Sequence, residues 1–207
     1  MEEPFSVERL VSQSRSLDLS GIDWPAAAAH PVSPAELRLL PYFIDVESYT
    51  IGYLRALLNT SAIQDPEIAD FLPVWAYEEG FHGRALERFL AEAGHGLDPR
   101  RPRSIQRPRP WLEGLQDLAA SGVSKIFEAD FSAVHMTWGA INELTTLNGY
   151  RRMAEKTSNP VLADVIRRIM RDEARHFGFY YSQAEERLER SALSKRLCRA
   201  LIGRFWK

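Results

Sequence analysis

Four stretches of the chain repeat apolar residues at alternating steps of three and four, the period of a helix that turns one face to a core. They are Ile44, Glu47, Ile51, Leu54 and Leu58; Trp75, Glu79, His82, Leu86 and Phe89; Met136, Ala140, Glu143, Leu147 and Tyr150; and Ile166, Ile169, Glu173, His176 and Tyr180. In each stretch a glutamate stands where the pattern asks for an apolar residue. No alternation of period two competes with this reading, so the chain is predicted to be all-α.

Local signals bound the helices. The first core helix is expected to start near Pro34 or Pro41 and to run to about Leu58. The second opens at Asp65-Pro66-Glu67, an N-cap followed by proline at the first helical position, and is stopped by Gly94 and Gly96 after Ala93. Pro73 lies inside it and predicts a kink. Residues 94–110 hold many prolines and arginines, and read as a long connection that crosses between the two halves of a bundle. A short helix over 111–120 is expected next. A third core helix should run from about Lys125 to Lys156, and a fourth from Ser158-Asn159-Pro160 to Arg190. The resulting division is an N-terminal extension over 1–34 with a short amphipathic piece at 5–14, a bundle over 35–190, and an amphipathic basic helix over 191–207.

The displaced glutamates fall in a repeated order: Glu47, then Glu79 and His82; Glu143, then Glu173 and His176. Glu79-Gly80-Phe81-His82 and Glu173-Ala174-Arg175-His176 share the E-x-x-H spacing, which puts a carboxylate and an imidazole on one helix face. A bundle that holds two metal ions on carboxylates needs one Glu from each of two helices and a Glu-x-x-His from each of the other two. Two divalent irons carry four positive charges. Four glutamates neutralise them, and the histidines serve as neutral nitrogen donors. Without such a partner, carboxylates on core stripes would cost several kcal/mol each through desolvation. The six residues are therefore the predicted ligands of two iron ions, with manganese or a mixed Mn/Fe pair also compatible with the donor set.

Composition narrows the class. The chain has 207 residues, 45% hydrophobic and 26% charged, as expected of one globular domain with a substantial core. A formal net charge of −2 gives no drive toward nucleic acid. The start, Met1-Glu2-Glu3-Pro4, has no signal-peptide pattern and no apolar run is long enough to span a bilayer, so a cytoplasmic location without membrane association is expected. The single cysteine, Cys198, excludes an internal disulfide framework. His30, His95 and His135 match no ligand spacing and are read as structural or exposed.

With these residues in view, the chain resembles the ferritin-like superfamily of diiron carboxylate proteins, and within it the soluble acyl-carrier-protein desaturases. Their motifs have the forms Glu-Glu-x-Arg-His and Asp-Glu-x-Arg-His. This chain has Glu78-Glu79-Gly80-Phe81-His82 and Asp172-Glu173-Ala174-Arg175-His176, with Phe81 in place of the first arginine. The resemblance spans about residues 39–190. It implies a ferritin-like four-helix bundle with a crossover connection and additional short helices. It also implies a dioxygen-activating diiron oxidase of the desaturase or monooxygenase kind, acting on an acyl-type substrate that is either small or held on a carrier protein. An external, ferredoxin-like electron donor would supply the electrons.

Thr146, three residues after Glu143, corresponds to a threonine near the dioxygen site in those enzymes and is the catalytic candidate. By the same resemblance, Asp172 would hold His82 and Glu78 would hold His176, since a ligating imidazole normally donates its other N–H to a carboxylate. Trp75, Phe131, Met136, Trp138 and Phe179 are the candidate pocket residues. Tyr150 and Tyr180 are read as core tyrosines with satisfied hydroxyls. The arginines of 100–109 and the basic tail are expected to be solvated. The tail's stripe of Leu193, Leu197, Leu201 and Phe205 is expected to pack on the bundle or on a partner subunit, which leaves room for a homodimer. The alternative function is a ferroxidase or iron-handling protein with no organic substrate. A third is a metal-bound structural protein.

Overall fold

The computed structural model describes residues 5–98, 100–101 and 128–205. The short helix expected over 111–120, most of the Pro/Arg-rich connection, the expected start of the third core helix near Lys125, and the last two residues lie outside the described residues. Among those described, every regular element is helical. They are α1 (Val7–Gln13), α2 (Pro34–Leu58), α3 (Pro66–Glu92), α4 (Glu128–Lys156), α5 (Pro160–Arg190) and α6 (Ala192–Phe205), with 3-10 turns at Trp24–Ala29 and Ser61–Gln64.

The helix starts are chemically specified. Ser33 and Glu36 form a reciprocal cap: the Ser33 N–H donates to the Glu36 carboxylate at 2.6 Å, and the Glu36 N–H donates to Ser33 Oγ at 3.3 Å. This starts α2 at Pro34, and the helix continues through Pro41. Asp65 caps α3 by accepting from the N–H groups of Glu67 and Ile68, and α3 likewise continues through Pro73. Asn159 caps α5 through Val161 and Leu162, and its amide donates to the carbonyls of Ala27 and His30. The α3 end turns at Gly94, whose φ of 80° is open to glycine at little cost.

α4 and α5 share the most extensive interface, and α2 pairs with α3. α3 also packs on α5, while α6 lies on α4 and α5. The apolar core forms two clusters. One contains Leu40, Phe43, Ile44, Leu86, Phe89, Tyr150, Leu162, Ile166 and Ile169, with Leu17 and Trp24 from the N-terminal segment. The other contains Val7, Leu57, Phe71, Leu72, Trp75, Met136, Ala140, Phe179 and Tyr180. On each of the four long helices the predicted ligand positions fall between the residues of one cluster and those of the other. The charged layer is thus sandwiched between two apolar ones.

Three of the four predicted stripes are buried as expected. The α2 stripe requires correction. Ile51 and Leu58 are 46% and 48% exposed, while Leu40, Phe43, Glu47, Thr50 and Leu57 are buried. These step by three, four, three and seven, so the inward face of α2 is rotated by one position beyond Glu47. α2 carries apolar residues on both faces, and apolarity alone did not distinguish them.

Candidate metal centre

All six predicted ligand residues are buried, with between 0% and 6% of each exposed. They form two overlapping donor groups: Glu47, Glu79, His82 and Glu173, and Glu79, Glu143, Glu173 and His176. Within each group one donor atom per residue lies within 4.8 Å of the others. Glu79 and Glu173 belong to both. Close approach of α2 to α3 at this level depends on Gly83, where a Cβ would come within 3.3 Å of the Glu47 Cβ.

The imidazoles are oriented from behind. His82 Nε2 lies 3.3 Å from Asp172 Oδ2, and His176 Nε2 lies 2.7 Å from Glu78 Oε2. Arg175 joins the two carboxylates, donating to Glu78 at 2.9 Å and to Asp172 at 2.7 Å. With Nε2 occupied, each Nδ1 faces the centre. His82 Nδ1 is 3.0 Å from Glu173 Oε1 and His176 Nδ1 is 2.9 Å from Glu79 Oε1, yet neither nitrogen has a partner at hydrogen-bonding angles. Glu173 Oε1 is likewise buried without one. Donor atoms that are close but not aimed at one another share a common target, as metal ligands do.

The free carboxylates are held from the other side. The Trp75 indole N–H donates to Glu143 Oε1 at 2.9 Å, and the Tyr150 hydroxyl donates to Glu47 Oε1. Burial, together with neighbouring carboxylates, pushes Glu47 and Glu143 well above the usual carboxylate range. Burial pulls both imidazoles down, but the surrounding acids win: His82 is raised well above its ordinary value and His176 reaches about 9. Protons thus neutralise the cluster in the metal-free chain, and cations would displace them.

The carboxylates form the floor of a cavity of about 380 Å³ between α2 and α4. Trp75 and Trp138 line it as expected; Met136, Phe131 and Phe179 do not. Met136 and Phe179 are spent on the apolar cluster beside the site, and Phe131 packs on the His135 ring. Thr146 is on the wall, one turn from Glu143.

A family model described as fatty acid desaturase matches residues 50–201. The chain belongs to that family. The matched segment contains Glu79, His82, Glu143, Glu173 and His176 and begins three residues after Glu47. No curated protein and no solved structure matches the chain.

Against the family motif, Phe81 stacks edge-on with Tyr77 at 4.9 Å and lies under the Arg84 guanidinium. Arg175 therefore serves both carboxylates behind the histidines. The spacing of Arg175 from Asp172, three residues on one helix, was the available signal for that role. The Tyr53 hydroxyl contacts His135 Nδ1 at 3.3 Å across the cleft, a pairing with no signature in the sequence. His30 and His95 are exposed. Tyr150 is satisfied by Glu47, but the Tyr180 hydroxyl is buried with no partner among the described residues, contrary to expectation.

Proposed function

We propose that this protein is a dioxygen-activating diiron oxidase that desaturates or hydroxylates an organic, acyl-type substrate. The observation that carries the reading is the pair of overlapping donor groups at the floor of a cavity. In this reading Glu47, Glu79, His82 and Glu173 would hold one iron, and Glu79, Glu143, Glu173 and His176 would hold the other. Bound iron would supply the capacity to reduce dioxygen and to remove hydrogen from a C–H bond.

The chain's own contribution is arrangement. Asp172 and Glu78 fix the imidazole tautomers so that Nδ1 carries the lone pair toward the centre. Trp75 and Tyr150 orient Glu143 and Glu47 through single hydrogen bonds, leaving each carboxylate an oxygen for metal. Apolar layers on both sides keep water from the charged layer. The Thr146 hydroxyl on the cavity wall holds and passes a proton toward the reacting centre. A small or carrier-protein-bound acyl group would enter from the cavity, and a ferredoxin-like donor would deliver electrons. A cavity of about 380 Å³ on the carboxylates favours an organic substrate over iron storage alone.

The test is single turnover of iron-loaded, chemically reduced protein with dioxygen and acyl substrates, read by mass spectrometry. A product lighter by two or heavier by sixteen mass units is expected. Thr146→Val should slow its formation with metal content unchanged. Iron oxidation without change to any organic molecule offered would replace this reading with a ferroxidase.

A further inference from the structure

Aromatic side chains dominate the cavity above the carboxylates. Tyr42, Tyr49 and Tyr53 line it from α2, Trp75 from α3, Trp138 from α4 and Tyr180 from α5. Among the described residues Val46 is the one aliphatic side chain on its wall. α4 does carry aliphatic residues at this level, but Ile141 and Leu144 line a separate groove against Phe177, Tyr181 and Leu188 of α5. Towards the cavity the helix turns Trp138, Asn142, Thr145 and Thr146 instead.

The rings lie at different depths. Trp75 and Tyr180 are buried, with almost nothing of either left to a ligand. Tyr53 and Trp138 are half-buried, one on each of the two helices that bound the cavity, and Tyr42 and Tyr49 are exposed at its mouth. Tyr53 is held in place: its hydroxyl meets His135 Nδ1 at 3.3 Å and its ring meets Trp75 edge-on at 5.9 Å. Trp75 is itself fixed by its hydrogen bond to Glu143.

A wall of this kind selects by shape and electron distribution. Aromatic rings attract one another in offset and edge-on contacts beyond what buried area alone supplies. A rigid ring gives up no internal rotation on binding, whereas a linear chain loses freedom at each bond it fixes. The volume points the same way. About 380 Å³ lies near the small end of the range of roughly 300–1,000 Å³ for ligand cavities, which suits a single ring with a short polar arm.

We infer that the cavity takes the ring of an aromatic acyl compound, seated between Tyr53 and Trp138 over the carboxylates, in place of a linear fatty acyl chain. Its acyl end stays at the rim, where Asn142 and Thr145 are exposed. The inference deepens the oxidase reading and rests on it for the fate of the ligand. A ring carbon has no second hydrogen to give up, so desaturation is closed and the reaction is hydroxylation. A ring C–H becomes C–OH with one atom of dioxygen. The other atom leaves as water, with two electrons from the external donor and two protons.

Binding can be measured without turnover on the full-length protein loaded with redox-inert zinc. Titration calorimetry compares phenylacetamide, cyclohexylacetamide and octanamide, which share their carbon count and their amide and differ in the frame. Phenylacetamide should bind wild type about tenfold more tightly than either saturated amide, although both of those are the more hydrophobic. Trp138→Leu should weaken phenylacetamide about tenfold and leave octanamide within about twofold, with metal content unchanged. Equal or tighter binding of a saturated amide by wild type, no binding of phenylacetamide, or equal weakening of all three by the substitution would overturn the inference. With iron, reductant and dioxygen, phenylacetamide should gain one oxygen atom on the ring; oxidation at its methylene instead would overturn the seating. Ring selectivity in a protein that oxidises nothing when loaded with iron would leave the binding inference standing and remove the oxidase reading. Oxidation of octanamide without ring selectivity would do the reverse.

Discussion

Removing metal should make the stability of the fold depend steeply on pH between about 6 and 9. In the metal-free chain His176 is raised from 6.5 to about 9: burial opposes the shift, and Glu78 and Glu79 overcome it. The folded state therefore binds this proton more tightly than the unfolded chain. Its stabilising contribution is complete below pH 6.5 and is lost as pH rises through 9. The gap corresponds to about 3 kcal/mol. His82, Glu47 and Glu143 are also raised and act in the same direction. Glu78, Glu79 and Asp172 are lowered, so they are ionised in both states across this window and add no slope. For a chain of this size, 3 kcal/mol is roughly 6–12 °C in Tm. Differential scanning calorimetry in chelator should show a fall of that order from pH 6 to 9. Zinc- or iron-loaded protein should show a much flatter profile, because metal has replaced the protons. A metal-free Tm that is flat or rises with pH, or identical slopes with and without metal, would refute the electrostatic account of the cluster.

Three further outcomes follow from particular contacts. Glu143 belongs to one donor group and Glu79 to both, so elemental analysis should find about one metal in Glu143→Ala and none in Glu79→Ala, against two in wild type. Arg175→Met unpairs Glu78 and Asp172 behind the imidazoles, and competition with a chelator should show metal affinity reduced about 10–100-fold. Gly139→Ala forces a methyl into the Tyr180 ring and should lower Tm, overpacking costing about 1–3 kcal/mol. At Gly203, in α6 with nothing within 4 Å, the same change should be neutral or stabilising by up to about 1 kcal/mol; equal melting shifts for the two would contradict the packing at Tyr180.

The parts of this architecture that are written locally were legible in the sequence. E-x-x-H places two side chains on one helical face whatever the tertiary setting, and Asp65-Pro66 and Asn159-Pro160 start helices through their own backbone bonds. The pairing of Asp172 with His82 and of Glu78 with His176 followed from the family motif, and both contacts are present. Features that depend on the rotation of one helix against another were not legible. Ile51 and Leu58 are as apolar as Leu57, and only the placement of α2 against α3 decides that the first two face out. Trp75 meeting Glu143, Tyr150 meeting Glu47 and Tyr53 meeting His135 each join residues 68 to 103 positions apart. The unpartnered Tyr180 hydroxyl could not be read from a spacing that suits any core tyrosine.

The repeated order of ligands has a consequence for assembly. Each donor group takes three residues from one half of the bundle and one from the other: Glu173 completes the set of Glu47, Glu79 and His82, and Glu79 completes that of Glu143, Glu173 and His176. The supporting acids cross over as well, since His82 on α3 is held by Asp172 on α5, and His176 on α5 by Glu78 on α3. Neither half on its own has a complete donor group or a properly oriented imidazole. Burying these acids before the halves meet would leave them without partners, at a cost that cation binding cannot offset until α3 and α5 are in contact. A metal held by either donor group would therefore favour the docked arrangement of the two helix pairs over the separated one, adding its binding energy to the packing that already joins the halves in the metal-free chain.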